Sequence, residues 1–135
     1  MQYLCLIYHT ESELEAMSDR EYGALANEAR AHTEALVESG HCVGANALEF
    51  VSAATTVRVR RGRVSITDGP FAETKEQLGG YVLIEARDLN EAIRIASTIP
   101  SARIGSVEIR PVTDVRTRAR MGQSAVVAGQ GTSAP

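Results

Sequence analysis

Asp68-Gly69-Pro70-Phe71-Ala72-Glu73-Thr74-Lys75-Glu76-Gln77-Leu78-Gly79-Gly80 stands between a hairpin pattern and an apolar strand pattern, and how the chain crosses it decides the fold. Asp68-Gly69-Pro70 reads as a turn, because glycine tolerates unusual backbone angles, proline fixes its own φ and disfavours helix in the residue before it. Phe71, one of two phenylalanines in the chain, is expected to anchor the loop against the core. Residues 72–78 fit two conformations: a short helical turn, or an extended arm with Glu73, Lys75 and Gln77 on one side and Thr74, Glu76 and Leu78 on the other. Gly79-Gly80 is expected to free the backbone before a strand that starts at Tyr81. Lys75 is the only lysine in the chain; the other basic residues, His aside, are arginines.

Upstream, Tyr3–Tyr8 is apolar at consecutive positions, the pattern of a strand buried on both faces, with His9 and Thr10 just past its end. Residues 10–17 read as a polar connection. Ser18 and Glu21 form a capping box, with Met17 and Tyr22 as its hydrophobic staple, and open a long helix whose stripe is Tyr22, Leu25, Ala26, Ala29, Leu36 and Val37. Gly40 is its stop. Residues 43–51 carry a weaker strand pattern. Thr55–Thr67 is a hairpin, valines and Ile66 alternating with arginines around an Arg61-Gly62 turn. Downstream of the polar run, Tyr81–Ala86 is a strand. Asp88 and Glu91 cap a second helix with Leu89, Ala92, Ile93, Ala96 and Ile99 inward, ended by Pro100, and Val107–Val112 is the last strand. This order is the βαββαβ pattern of a ferredoxin-like α+β fold with an inserted β-hairpin. Its helices cover one sheet face only, so strands apolar on both faces call for a second copy of the chain over the other.

The polar run and the Tyr81 that follows it resemble the signature of the DGPF family, a branch of the YCII-related proteins. The similarity extends from the first strand through Ser106-Val107-Glu108-Ile109-Arg110-Pro111-Val112. The resemblance implies a ferredoxin-like fold that dimerises into an α+β barrel, and no defined activity. Some relatives lie beside genes for extracytoplasmic-function sigma factors, which implies a regulatory setting. Relatives of the YCII type carry a histidine early in the long helix and an aspartate before the proline that ends the second helix, as an acid–base dyad. The corresponding positions here fall near Ala29 and at Ile99, with His32 about one turn along, so that dyad does not carry over.

The 135 residues suit one domain, expected over residues 1–113, with a Gly-, Ser- and Ala-rich disordered tail over 114–135. A net charge of −3 argues against general nucleic-acid binding, and no apolar run has the length of a membrane span. The start of the chain reads directly as a strand with no basic leader, and Cys5 and Cys42 lack metal-motif spacing, so a cytoplasmic protein with two reduced thiols is expected.

Chemistry is expected near the polar run. Lys75 can pair with an anion or serve as an acid or base, against the plain reading of a surface cation bridging Glu73 or Glu76. Asp68 is first a turn residue and second a proton carrier. Glu73 gains acid–base character only if the loop folds over a cavity. His9, at the end of a buried strand, titrates near neutrality, its plain reading being a loop histidine. Tyr8, Tyr81 and Arg110 are candidate substrate-binding residues beside Lys75, their plain readings being packed tyrosines and an Arg110–Glu108 ion pair. Arg58, Arg60, Arg61 and Arg63 make a basic ribbon whose usual explanation is a solvated face. No metal site and no nucleotide cofactor are expected. Two functions follow: a cofactor-independent enzyme for a small anionic organic molecule, in a cavity near residues 68–81, with Lys75 and Arg110 holding the substrate and His9, Asp68 or Glu73 moving protons; or a non-catalytic dimer that binds a ligand or a protein in a regulatory context.

Overall fold

The computed structural model describes residues 1–116, and the expected tail lies outside the described residues from 117 onward. The elements are β1 (Gln2–His9), α1 (Glu11–Glu15), α2 (Asp19–Glu38), β2 (Cys42–Ala47), β3 (Thr55–Arg60), β4 (Arg63–Asp68), β5 (Gln77–Glu85), α3 (Leu89–Ser97) and β6 (Ser106–Pro111). Four strands form an antiparallel sheet in the order β2-β5-β1-β6, and β3-β4 stand apart as a two-stranded ribbon. With α2 and α3 as its crossovers, this is the ferredoxin-like α+β arrangement with an inserted hairpin.

Local signals explain the boundaries. The Ser18 hydroxyl accepts from the Glu21 amide (3.1 Å) and the Glu21 carboxylate accepts from the Ser18 amide (3.2 Å), so two of the orphan donors at the start of α2 are satisfied reciprocally. Gly40, with φ 81°, ends the helix in the left-handed region. The Asp88 carboxylate accepts from the Glu91 amide at the start of α3, while Glu91 turns back to the Arg87 amide (2.9 Å) and side chain (2.7 Å) and is thereby buried. Arg61 and Gly62 both take positive φ, the geometry of the tight β3–β4 turn.

The core lies between one sheet face and the two long helices. Tyr3, Cys5, Val82 and Ile84 of the sheet meet Leu36 of α2 and Ala92, Ile95, Ala96 and Ile99 of the α3 region. Register gives the sheet its two faces. Tyr3 opposes Ile84 and Cys5 opposes Val82 on the helix side, while Leu4 opposes Leu83 on the other, where none of the described elements packs extensively. Burial pushes the Cys5 thiol up to about 11, and both cysteines are unpaired.

The structure changes several local readings. Residues 11–15 form a short helix within the expected polar connection. Leu89 and Ile93 are half-exposed and Ile95 takes the core position, because α3 meets the sheet through its Ala92–Ile95–Ala96 side. Val37 also leaves the α2 stripe for the surface. Phe71 is 78% exposed and does not anchor its loop, since the ribbon and the segment after it project from the body and leave the ring nothing to pack on. Residues 72–76 are irregular, not a helical turn, and β5 starts at Gln77, so Gly79 and Gly80 lie inside a strand.

Candidate functional site

A cavity of about 370 Å³ lies between α2 and the sheet. Its apolar lining includes Ile7 of β1, Leu14 of α1, Leu25 and Ala29 of α2, and Phe50. The polar lining includes His9, Arg30, Thr33, Asn46 and Ser101. Arg30 is the lining cation, and no Asp or Glu lines the cavity. A mostly apolar cleft with a few convergent polar groups is the usual form of a small-molecule site.

His9 belongs to β1 rather than the loop beyond it, and the ladder explains how its ring fits. Ile7 pairs with Gly80 and Tyr8 with Leu78, which leaves Gly79 as the extra residue of a β-bulge. The His9 ring occupies the space that a Gly79 side chain would take: a Cβ there would fall on Cε1 and lie 2.9 Å from both ring nitrogens. His9 Nδ1 is buried with no hydrogen-bond partner. Burial lowers the imidazole pKa, while the carboxylates of Glu11 and Glu76 pull it the other way.

The second half of the polar run builds the surroundings of His9. The Gln77 side-chain oxygen accepts from the Glu11 amide (2.9 Å), satisfying a donor at the start of α1 that Thr10 leaves uncapped. Gln77 also donates to Thr74 O (2.6 Å), and Ser106 donates to Glu76 (2.7 Å), which ties the run to β6. The Glu11 carboxylate accepts from the Val51 amide (3.0 Å), holding the Phe50 segment over the cavity. Neither Glu11 nor Gln77 stood out in the sequence; what marked them was only their place beside His9 and the two glycines.

The other site candidates lie elsewhere. Asp68, at the end of β4, Glu73 and Lys75 are exposed and outside the cavity lining; among the described residues none of their side chains makes an ion pair or hydrogen bond. Tyr8 and Arg110 lie on the open sheet face. Arg110 is 3.5 Å from Glu108, and burial, then Glu108 beside it, raises the Tyr8 phenol pKa while Arg110 opposes. Tyr81 borders the cavity, but it pairs with Leu6 across the ladder, which puts its side chain on the open sheet face, where the hydroxyl accepts from Asn46 (2.8 Å). Of the candidates, the structure thus brings His9 to the cavity, sets Tyr81 at its border and leaves Asp68, Glu73, Lys75, Tyr8 and Arg110 away from it. His32 pairs with the Thr98 hydroxyl (2.7 Å) across α2 and α3, and its pKa is lowered by burial. Among the described residues no group of His, Cys, Asp and Glu stands ready to hold a metal, and no helix is long and apolar enough to cross a membrane.

A family model of the YCII-related domain matches residues 1–116. The chain belongs to the YCII-related family. An uncharacterized protein of Rhizobium meliloti (strain 1021) is similar to this YCII-related chain, with 38% identity over 114 residues, 83% of this chain and 92% of the relative.

Proposed function

We propose that this YCII-related protein, of the DGPF branch, is a homodimeric, cofactor-independent enzyme that takes a small organic anion into the cavity beneath α2. The observation that carries the reading is His9: a half-buried imidazole whose Nδ1 is enclosed without a partner, in the wall of a mostly apolar cavity. With its pKa lowered, the ring is neutral at pH 7. A buried N–H without an acceptor is rarer than an unpaired acceptor, so the proton is assigned to Nε2. Nε2–H then donates to a substrate oxygen and polarises the carbonyl beside it, as a neutral imidazole can in a water-poor site. Arg30, an exposed side chain that donates to Asn27 (3.0 Å) and lies 3.9 Å from Glu34, is the lining cation available to an anionic group at the cavity wall. Lys75, Glu73 and Asp68 enter this reading only across a dimer, where one copy's polar run reaches the other's cavity.

Leu4, Leu6 and Leu83, only partly buried on the open sheet face, support the homodimer. The exposed ribbon favours a second reading, a non-catalytic dimer that binds a protein. Native mass spectrometry of wild type, Arg30→Gln and Lys75→Ala tests the site. A small-molecule adduct kept by Lys75→Ala and lost by Arg30→Gln is expected. An adduct lost only with Lys75 would move the site to the polar run, and turnover of the identified compound separates enzyme from binder.

A further inference from the structure

The β3–β4 ribbon is amphipathic in a way its own chain does not use. Val57 opposes Ile66 and Val59 opposes Val64, so four branched aliphatics share one face, and each is 56–69% exposed. Arg58, opposite Ser65, and the Arg60–Arg63 pair share the other face. Beyond the ribbon, Phe71 is exposed as well. The ribbon's extensive contacts are internal, β3 with β4; at its base the Thr56 hydroxyl donates to Gly69 O and the Gly69 amide to Ala54 O. A two-stranded hairpin in water is marginal without a third strand or a helix to pack on.

We propose that the ribbon is an intersubunit arm, its apolar face seated on a second copy of this chain. The proposal rests on the homodimer above and assigns the ribbon a place in it. Size supports this occupant. The five side chains present on the order of 500 Å² of apolar surface, the upper end of what a monomer shows. Two arms, each covering a similar area on the other copy, bury about 2,000 Å² in total, enough for a stable specific interface. The open sheet face of a second copy, which carries Leu4 and Leu83, supplies apolar surface for the ribbon to cover. The arginine face, which forms no ion pair among the described residues, then stays turned to solvent.

The test places a photo-crosslinking benzoylphenylalanine at Val64 in the full chain, unlabelled, and refolds it from urea with an equal amount of ¹⁵N-labelled wild type. Sedimentation gives the assembly state of the same sample. The expected result is a dimer whose crosslinked peptides join unlabelled to labelled chains. A dimer with crosslinks inside one chain alone would overturn the arm and leave the homodimer standing. A monomer would overturn both. Crosslinking in cells to a different protein alone would hand the ribbon to that partner and overturn the proposal. In parallel, Val59→Asp with Val64→Asp is expected to raise the dimer dissociation constant at least tenfold; an unchanged constant would overturn the arm.

Discussion

A methyl group added at Gly79 would fall on the His9 ring, so Gly79→Ala has to move the imidazole or the bulged strand. Overpacking of this kind costs about 1–3 kcal/mol, and urea unfolding is expected to show a loss in that range, with the His9 ring signals displaced in the NMR spectrum. His9 also sets a pH dependence. Its folded pKa lies below the ordinary 6.5, so between the two values the unfolded chain binds the extra proton. Stability is therefore full above pH 6.5 and falls as pH drops from there through the folded pKa. Glu11 and Glu76 facing the ring shorten that window. His32, also lowered, adds a parallel loss, whereas Glu21 and Glu91, lowered from 4.5, act only in more acid solution. His9→Asn is expected to flatten the urea-midpoint profile between pH 7 and 5.5 in part, leaving the His32 share; an unaltered profile would contradict the burial of His9. The sequence made His9 visible, since a polar residue closing an apolar strand stands out. It did not expose the role of Gly79, because a Gly-Gly pair reads equally as a turn and as a bulge, and only the ladder shows which.

Elements with a local cause were the legible ones. The α2 start follows from Ser18 and Glu21 alone, and Ser18→Ala is expected to lower unfolding stability by about 1 kcal/mol, measured by urea titration with the sheet unchanged by circular dichroism. The ribbon followed from alternation and its Arg61-Gly62 turn. What failed were some of the statements about what the elements touch, since Leu36, Ala92, Ala96 and Ile99 do lie in the core as expected. Phe71 and the Leu89 and Ile93 positions read as inward because apolar residues usually are, yet their burial depends on the angle at which ribbon and α3 meet the body, which no local pattern encodes. Chemistry was expected along the whole polar run; the fold divides it. Its second half stitches β5 to α1 and β6 through Gln77 and Glu76, and its first half stays with the exposed arm.

For the whole molecule, the core and the cavity share one sheet face. Ile84, fully buried among Tyr3, Cys5 and the α3 alanines, is part of the wall against which the layers close. Ile84→Ala is expected to cost about 2–5 kcal/mol by urea unfolding, with the cavity lost if the sheet shifts. The layered α+β order was legible from periodicity because each helix and strand repeats its own period. The cavity was not, because it is bounded by α1, α2, three strands and the Phe50 segment, parts distant in the chain. The most direct measurement is the NMR spectrum of uniformly ¹⁵N-labelled protein, imidazole and backbone amide signals together, titrated at pH 7 with small aliphatic and aromatic carboxylic acids. A neutral His9 whose Nε2 signal shifts saturably, with the shift abolished in Arg30→Gln and retained in Lys75→Ala, is expected. A His9 signal that no acid moves, while signals from the 68–75 segment do respond, would contradict the assignment of the site to the cavity beneath α2.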